Sequence, residues 1–314
     1  MSSKQIALFV LFTIGINLLA GCSGAVTPAP QTPTQAPIVL VDGLERQIEL
    51  AGPAQRVVAL APAITEILFA IGAGSQVVGR DTFSNFPTEA ESISDVGGGF
   101  GELNTEVILS LHPDLVFASE LTPPEQIKAL EDLGLVVFAL PNPTEFEGLF
   151  ESIRTVASLT GHTEQADQLV AGLQQRLTAV IEAVSQVTER PVVFYEIDGT
   201  DPNAPWTPGP GSYIDRLIAL AGGENLGNRL GSEWAQISIE ELIAQDPDII
   251  LLGDAILGGV TVEQVQARPG WNVLSAIKND KVYTLDDDLV ARPGPRMVEG
   301  LELLARFIHP ELFQ

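Results

Sequence analysis

Cysteine is close to absent: the 314 residues contain one, Cys22, so no intramolecular disulfide can form. Histidine is almost as scarce. His112, His162 and His309 are scattered without the ligand spacing of a zinc or manganese cage, and each reads as a surface or capping residue. Basic residues are few as well. Lys and Arg total 16 against 41 Asp and Glu, and the net charge of −25 argues against nucleic acid or an anionic membrane surface as a partner. Excess carboxylate keeps a protein in solution, and it also favours a partner that presents basic residues. Common catalytic motifs are missing too, with no Gly-x-Ser-x-Gly elbow and no Gly-x-x-x-x-Gly-Lys phosphate loop. The run Gly97–Gly101 lacks dinucleotide-binding spacing. Asp286-Asp287-Asp288 lacks the spaced oxygen ligands of a calcium loop and reads as a charged turn. A hydrolase would have to work with an unmarked pair of carboxylates, and an adhesin would leave the duplicated residues described below without a role.

What is present begins at the N-terminus. Lys4, an apolar stretch from Ile6 to Ala20, and small residues before a cleavage point have the order of a secretory signal. The apolar run is short for a bilayer span of about 20 residues. Its ending, Leu19-Ala20-Gly21-Cys22, resembles the bacterial lipoprotein signal, in which the cysteine is lipidated and becomes the new N-terminus. Residues 1–21 are then the signal peptide and Cys22 the anchor. From Thr27 to Pro37, Pro alternates with small polar residues, so residues 22–37 read as an extended, semi-rigid tether. The expected location is extracytoplasmic, with the lipid as the sole membrane attachment.

Beyond the tether, strand-like runs alternate with helical patterns, which predicts an α/β fold with mainly parallel sheets. Arg56–Leu60, Leu115–Ala118, Val136–Leu140, Pro191–Tyr195, Ile249–Leu252 and Lys281–Leu285 are predicted strands; Ala63–Ile71 and Tyr213–Ala221 are predicted helices that stop at Gly72 and Gly222. One segment occurs twice. Asn104-Thr-Glu106 leads through Pro113-Asp114 into a strand, and Ser238-Ile-Glu240 leads through Pro247-Asp248 into another, each Glu lying seven residues before its Pro. A capping residue opens each short helix and Pro-Asp ends it. The chain thus reads as two lobes, residues 38–143 and 190–314, with a connector at 144–189. Within it, Ala166, Leu169, Val170, Leu173, Leu177, Val180, Ile181 and Val184 form a helical stripe between Thr163 and Thr188, long enough to cross from lobe to lobe. Leu68, Ile71, Leu217, Leu220 and Leu242 are expected in the core.

These pieces, with Val41–Leu50, Ala221-Gly-Gly-Glu-Asn225 and Arg268-Pro-Gly-Trp271 in the same order, resemble the helical-backbone periplasmic binding proteins for vitamin B12 and ferric siderophores over nearly all of the mature chain. The resemblance implies two Rossmann-like lobes joined by one long interdomain helix, a ligand held in the cleft between them, and no catalysis. It implies a monomer with no cofactor of its own, serving an ABC permease dimer and its ATPase subunits. In the family one exposed Glu per lobe docks against permease arginines, and Glu106 and Glu240 stand at the matching positions. Charged rim pairs suit that task because they set orientation and on-rate; equally, a Glu in a first turn stabilises the helix dipole.

Cleft residues should come from loops at strand ends. The vitamin B12-binding member carries aromatics at the places matching Phe83, Phe100, Trp206 and Trp234, and Asp288 and Arg292 match its acidic and basic contacts. Aromatic faces suit cobalamin or another corrinoid, a flat disc fringed with amides. One departure is Ala118, where the B12 binder has a further tryptophan. Arg80, Arg229, Arg292 and Arg296 offer a competing reading, an anionic ferric siderophore. Haem is a third, and would want a Tyr or His axial ligand that none of the four aromatic positions supplies. Trp271 is assigned to structure.

Overall fold

The computed structural model describes residues 36–99 and 101–313. The signal segment, Cys22, most of the tether and Phe100 lie outside the described residues. A hairpin, β1 (Ile38–Val41) with β2 (Gln47–Leu50), precedes the first sheet. That sheet follows as β3 (Val57–Ala59), α1 (Pro62–Ala70), β4 (Val77–Arg80), β5 (Ser94–Asp95), α2 (Thr105–Ser110), β6 (Leu115–Ser119), α3 (Pro124–Asp132) and β7 (Val137–Leu140). Two long helices come next, α4 (Phe146–Thr160) and α5 (Thr163–Val184). The second half comprises β8 (Val192–Glu196), β9 (Trp206–Pro208), α6 (Tyr213–Leu220), β10 (Glu224–Asn225), β11 (Trp234–Gln236), α7 (Ile239–Gln245), β12 (Ile249–Leu252), α8 (Val262–Gln266), α9 (Ser275–Lys278), β13 (Val282–Thr284), α10 (Asp288–Ala291) and α11 (Met297–Ile308).

Two parallel sheets result, in the orders β5-β4-β3-β6-β7 and β10-β8-β12-β13. Their central strands carry apolar side chains toward both faces, as buried parallel strands must. In each sheet the order reverses at the central pair, β3/β6 and β8/β12, which opens a crevice beyond the strands' C-terminal ends.

The repeated segment builds the same device twice. Asn104 and Ser238 each accept a hydrogen bond from the third backbone N–H of their helix, at 3.1 and 3.2 Å. The helices end before His112 and Asp246, which take left-handed φ values of 47° and 44°, a conformation His and Asp tolerate better than most residues. After the proline, the Asp carboxylate turns to the start of the neighbouring strand. Asp114 accepts from the N–H groups of Gln55 and Arg56, and Asp248 from that of Val192. Each Pro-Asp thus satisfies backbone donors that open the first central strand of its sheet.

Apolar residues fall into three clusters. The outer face of each sheet has its own, around Val116 in the first and Phe194, Leu242 and Trp271 in the second. The inner faces share one cluster, which runs from Phe117 and Phe138 through α4, α5 and α11 to Tyr195 and Leu251. Of the expected core residues Leu68, Ile71, Leu217 and Leu242 are buried, but Leu220 at the end of α6 is only partly covered. The helix α5 has 22 residues, about 33 Å at 1.5 Å each, and ends before Thr188. Ile181, read as part of its apolar stripe, is 41% exposed because the stripe is wider than the face that α11 and α4 cover. His309 is not a surface residue: it is buried, with Nε2 near the Gly222 carbonyl oxygen at 3.2 Å and Nδ1 near Glu311 at 3.1 Å.

Candidate functional site

A cavity of about 700 Å³ opens at the C-terminal ends of both sheets. The first lobe lines it with the segments after β3, β4, β6 and β7, and the second with those after β12 and β13 and with β11. Phe83, Trp234, Asp288 and Arg292 all reach this cavity. Trp206 does not line it. In the ribbon formed by β9 and β11, Trp206 pairs with Gln236 and Trp234 with Pro208, so both tryptophans share one face of the ribbon and each is about two-fifths exposed. Glu106 and Glu240 lie outside the cavity, exposed in the first turns of α2 and α7, and neither makes an ion pair among the described residues.

Phe83 is held by a local arrangement. Asp81, fully buried at the end of β4, accepts from the Phe83 N–H at 3.1 Å and from the Ser84 hydroxyl, and Ser84 in turn meets Thr65 at 2.8 Å. Burial pushes the Asp81 carboxyl up from its ordinary value. The ring then lies on the glycine run: a Cβ at Gly99 would sit 2.4 Å from it, and Gly99 has a φ of 68°. On the facing lobe Trp234 meets the ring of Tyr213 edge-on at 6.3 Å, and the Tyr213 hydroxyl donates to the Ala291 carbonyl at 3.1 Å. Burial raises the Tyr213 hydroxyl pKa, so the phenol stays protonated.

Charge in the cleft is uneven. Arg292 contacts Asp288 at 2.8 Å, Asn85 at 2.7 Å and Glu66 at 3.6 Å, so the matched acid–base pair is partly spent on itself. Glu66 is 3% exposed on α1 and accepts from Nη2 and Nε of Arg296, at 2.7 and 3.0 Å; Arg296 also stacks on Phe86 at 4.0 Å. This network ties the lobes together beside the cavity, and of its members Arg292 and Asp288 line the cavity itself. Arg80 is engaged by the carbonyls of Ala90, Asp81 and Thr82, and Arg229 by Glu224 and Gln245, and neither lines the cavity. Asp287 accepts from the buried Tyr195 hydroxyl, and burial pushes its carboxyl up to about 6. Trp271 is fully buried, donating to the Pro202 carbonyl at 3.1 Å under Arg268.

Sequence reasoning missed Tyr213 and Asp287 as cleft residues, and Glu66 and Asn85 as the partners that hold Arg292. Tyr213 was reachable, since it opens a predicted helix immediately after a Gly/Pro-rich loop. The pairing of Glu66 with a residue 230 positions away carries no local signal.

A family model described as periplasmic binding protein matches residues 57–289. An uncharacterized ABC transporter substrate-binding lipoprotein of Bacillus subtilis strain 168 is 30% identical over 99% of both chains. A cobalamin-binding protein of Halobacterium salinarum is 28% identical over 98% of this chain and 86% of its own. Among solved structures, a periplasmic heme-binding protein of Roseiflexus sp. RS-1 superposes with a TM-score of 0.74 at 29% identity, covering 82% of this chain and 99% of that one.

Proposed function

Because the chain belongs to this periplasmic binding protein family, whose members bind solutes for ABC importers, we propose that it captures a corrinoid such as cobalamin in the cleft and delivers it to its importer. The observation that carries this reading is the pair of aromatic faces, Phe83 on one lobe and Trp234 on the other, flanking one cavity whose first-lobe wall offers Ser119, Thr122, Gln126 and Asn142. Apolar rings can pack on the disc of a corrinoid while hydroxyl and amide groups orient its side-chain amides. The similarity to a cobalamin-binding protein supports the same choice. Haem is the weaker reading despite the heme-binding neighbour. The tyrosine that lines the cavity has its hydroxyl committed to Ala291 and its ionisation opposed by burial, which makes it a poor iron ligand. A ferric siderophore would rely on Arg292, already engaged by Asp288 and Glu66.

Glu106 and Glu240 dock the loaded protein on the permease dimer, one lobe to each subunit. Their exposure, lack of ion pairs among the described residues and duplicated setting support that role. Cys22 carries the lipid anchor, a reading supported by the Bacillus lipoprotein; Cys22→Ser should release the protein from the membrane fraction. The ligand is tested by calorimetric titration of the purified full-length protein with cyanocobalamin and with haem. One-to-one corrinoid binding at about −12 to −8 kcal/mol is expected. Heat with haem and none with cyanocobalamin would sink the corrinoid assignment.

A further inference from the structure

Among the described residues, the side chains that line the cleft carry four carboxylates, Asp81, Glu233, Asp287 and Asp288, against a single base, Arg292. That base is already neutralised. It sits 2.8 Å from Asp288 and 3.6 Å from Glu66, and it spends a further donor on Asn85. Arg296, the next cation, is held by both Glu66 oxygens. No guanidinium or ammonium is therefore left free to meet an anion among the described lining residues. Among the described residues, Asp287 and Glu233 remain as acceptors without a cationic partner. Glu233 is exposed beside Trp234 and makes no ion pair among the described residues, while the side chain that donates to Asp287 is the Tyr195 hydroxyl. The remainder of the polar wall, such as Gln126 and Asn142, is neutral. A cleft with low-dielectric walls concentrates this imbalance, and a chain of net charge −25 adds a repulsive far field to it.

We propose that the cleft is a charge filter: it takes a metal chelate whose rim presents hydrogen-bond donors, carboxamide or ammonium, and whose net charge is zero or positive, and it turns away chelates fringed with carboxylates or catecholates. The inference rests on the cleft being the ligand site and deepens that reading, because it sorts the candidate ligands by one physical property. Two sources share the favoured chemistry, an amide-fringed corrinoid and a cationic ferric trihydroxamate.

The test uses matched probes on the full-length protein: cyanocobalamin, the tricarboxylate made by hydrolysing three of its rim carboxamides, a ferric trihydroxamate bearing a free ammonium, and a trianionic ferric tricatecholate. The expected result is that cyanocobalamin binds and its tricarboxylate binds about a hundredfold more weakly, each added charge weakening affinity about fivefold. Glu233→Gln should narrow that gap, and so should raising the salt, which screens the rim charge. Binding of the cationic trihydroxamate alone would uphold the filter while removing the corrinoid assignment. The filter is overturned if the tricarboxylate binds as tightly as its parent, if the tricatecholate is the chelate bound, or if none of the four binds.

Discussion

Replacing Asp287 by Asn should make the protein more stable at neutral pH, although it removes a hydrogen-bonded carboxylate. The carboxyl is partly buried in the turn after β13, beside Asp286 and Asp288 and near Asp254; burial is the largest cause of its elevation, and these acids add to it. The Tyr195 hydroxyl works in the opposite direction by donating to the ionised form. The balance leaves the folded group titrating at about 6, against an ordinary value of 3.8. Between those values the folded state holds a proton that the unfolded state has released, so stability falls as pH rises through 6. An elevation of that size corresponds to about 3 kcal/mol at most. Because the group keeps some contact with water, a gain of about 1–2 kcal/mol is expected for Asp287→Asn, whose amide oxygen can still accept from Tyr195. That gain corresponds to a melting temperature about 2–4 °C higher at pH 7.5. Thermal melts followed by circular dichroism at pH 5.0, 6.0 and 7.5 provide the check, read as variant minus wild type so that the other carboxylates cancel. The advantage should shrink at pH 5.0, where wild-type Asp287 is mostly protonated. A variant that melts lower at pH 7.5, with a deficit independent of pH, would refute the reasoning.

Glu106→Arg combined with Glu240→Arg should abolish uptake in whole cells and leave ligand affinity unchanged; transport by the double variant would remove both residues from the docking surface. Arg296→Met strips Glu66 of its bidentate partner and leaves Arg292 as the remaining cation at 3.6 Å, so urea denaturation should show a loss of about 2–3 kcal/mol. Glu66→Gln in the same background should recover part of it. The two tryptophan sites should behave oppositely. Trp234→Ala should weaken ligand binding about tenfold or more with little change in melting temperature, whereas Trp271→Ala, which empties a fully buried site, should cost about 3–5 kcal/mol of stability.

The fold was largely legible because its central strands advertise themselves. A strand buried on both faces reads as an unbroken apolar run, and Ile249–Leu252 has the same bounds in sequence and in structure. The doubled Asn104/Ser238 and Pro-Asp pattern also survived, since each piece is a local device that needs no distant partner. The cleft was harder to read. Trp206 and Trp234 lie on three-residue strands, too short to show alternation, and only the pairing of β9 with β11 puts them on one face. Glu66 interrupts the apolar helix Pro62–Ala70 and looks like a solvated position until Arg296 arrives from the far end of the chain. The arginines held by carbonyls or by Glu66 looked free in the sequence because charge pairing is a tertiary property. Asp287 looked like one member of a charged turn, and only burial separates it from Asp286, which is exposed.

The common core of the two inner faces sets the order in which the molecule can be finished. Met297, Val298, Leu301, Leu304, Ala305 and Ile308 of the last long helix belong to the same apolar cluster as Val57, the first residue of the first sheet. Whatever sheet forms early, its inner surface keeps an unfilled seat until α11 arrives. A chain that has not yet placed this helix therefore presents sticky surface on both inner faces. Removing α11 would uncover the inner faces of both halves at once.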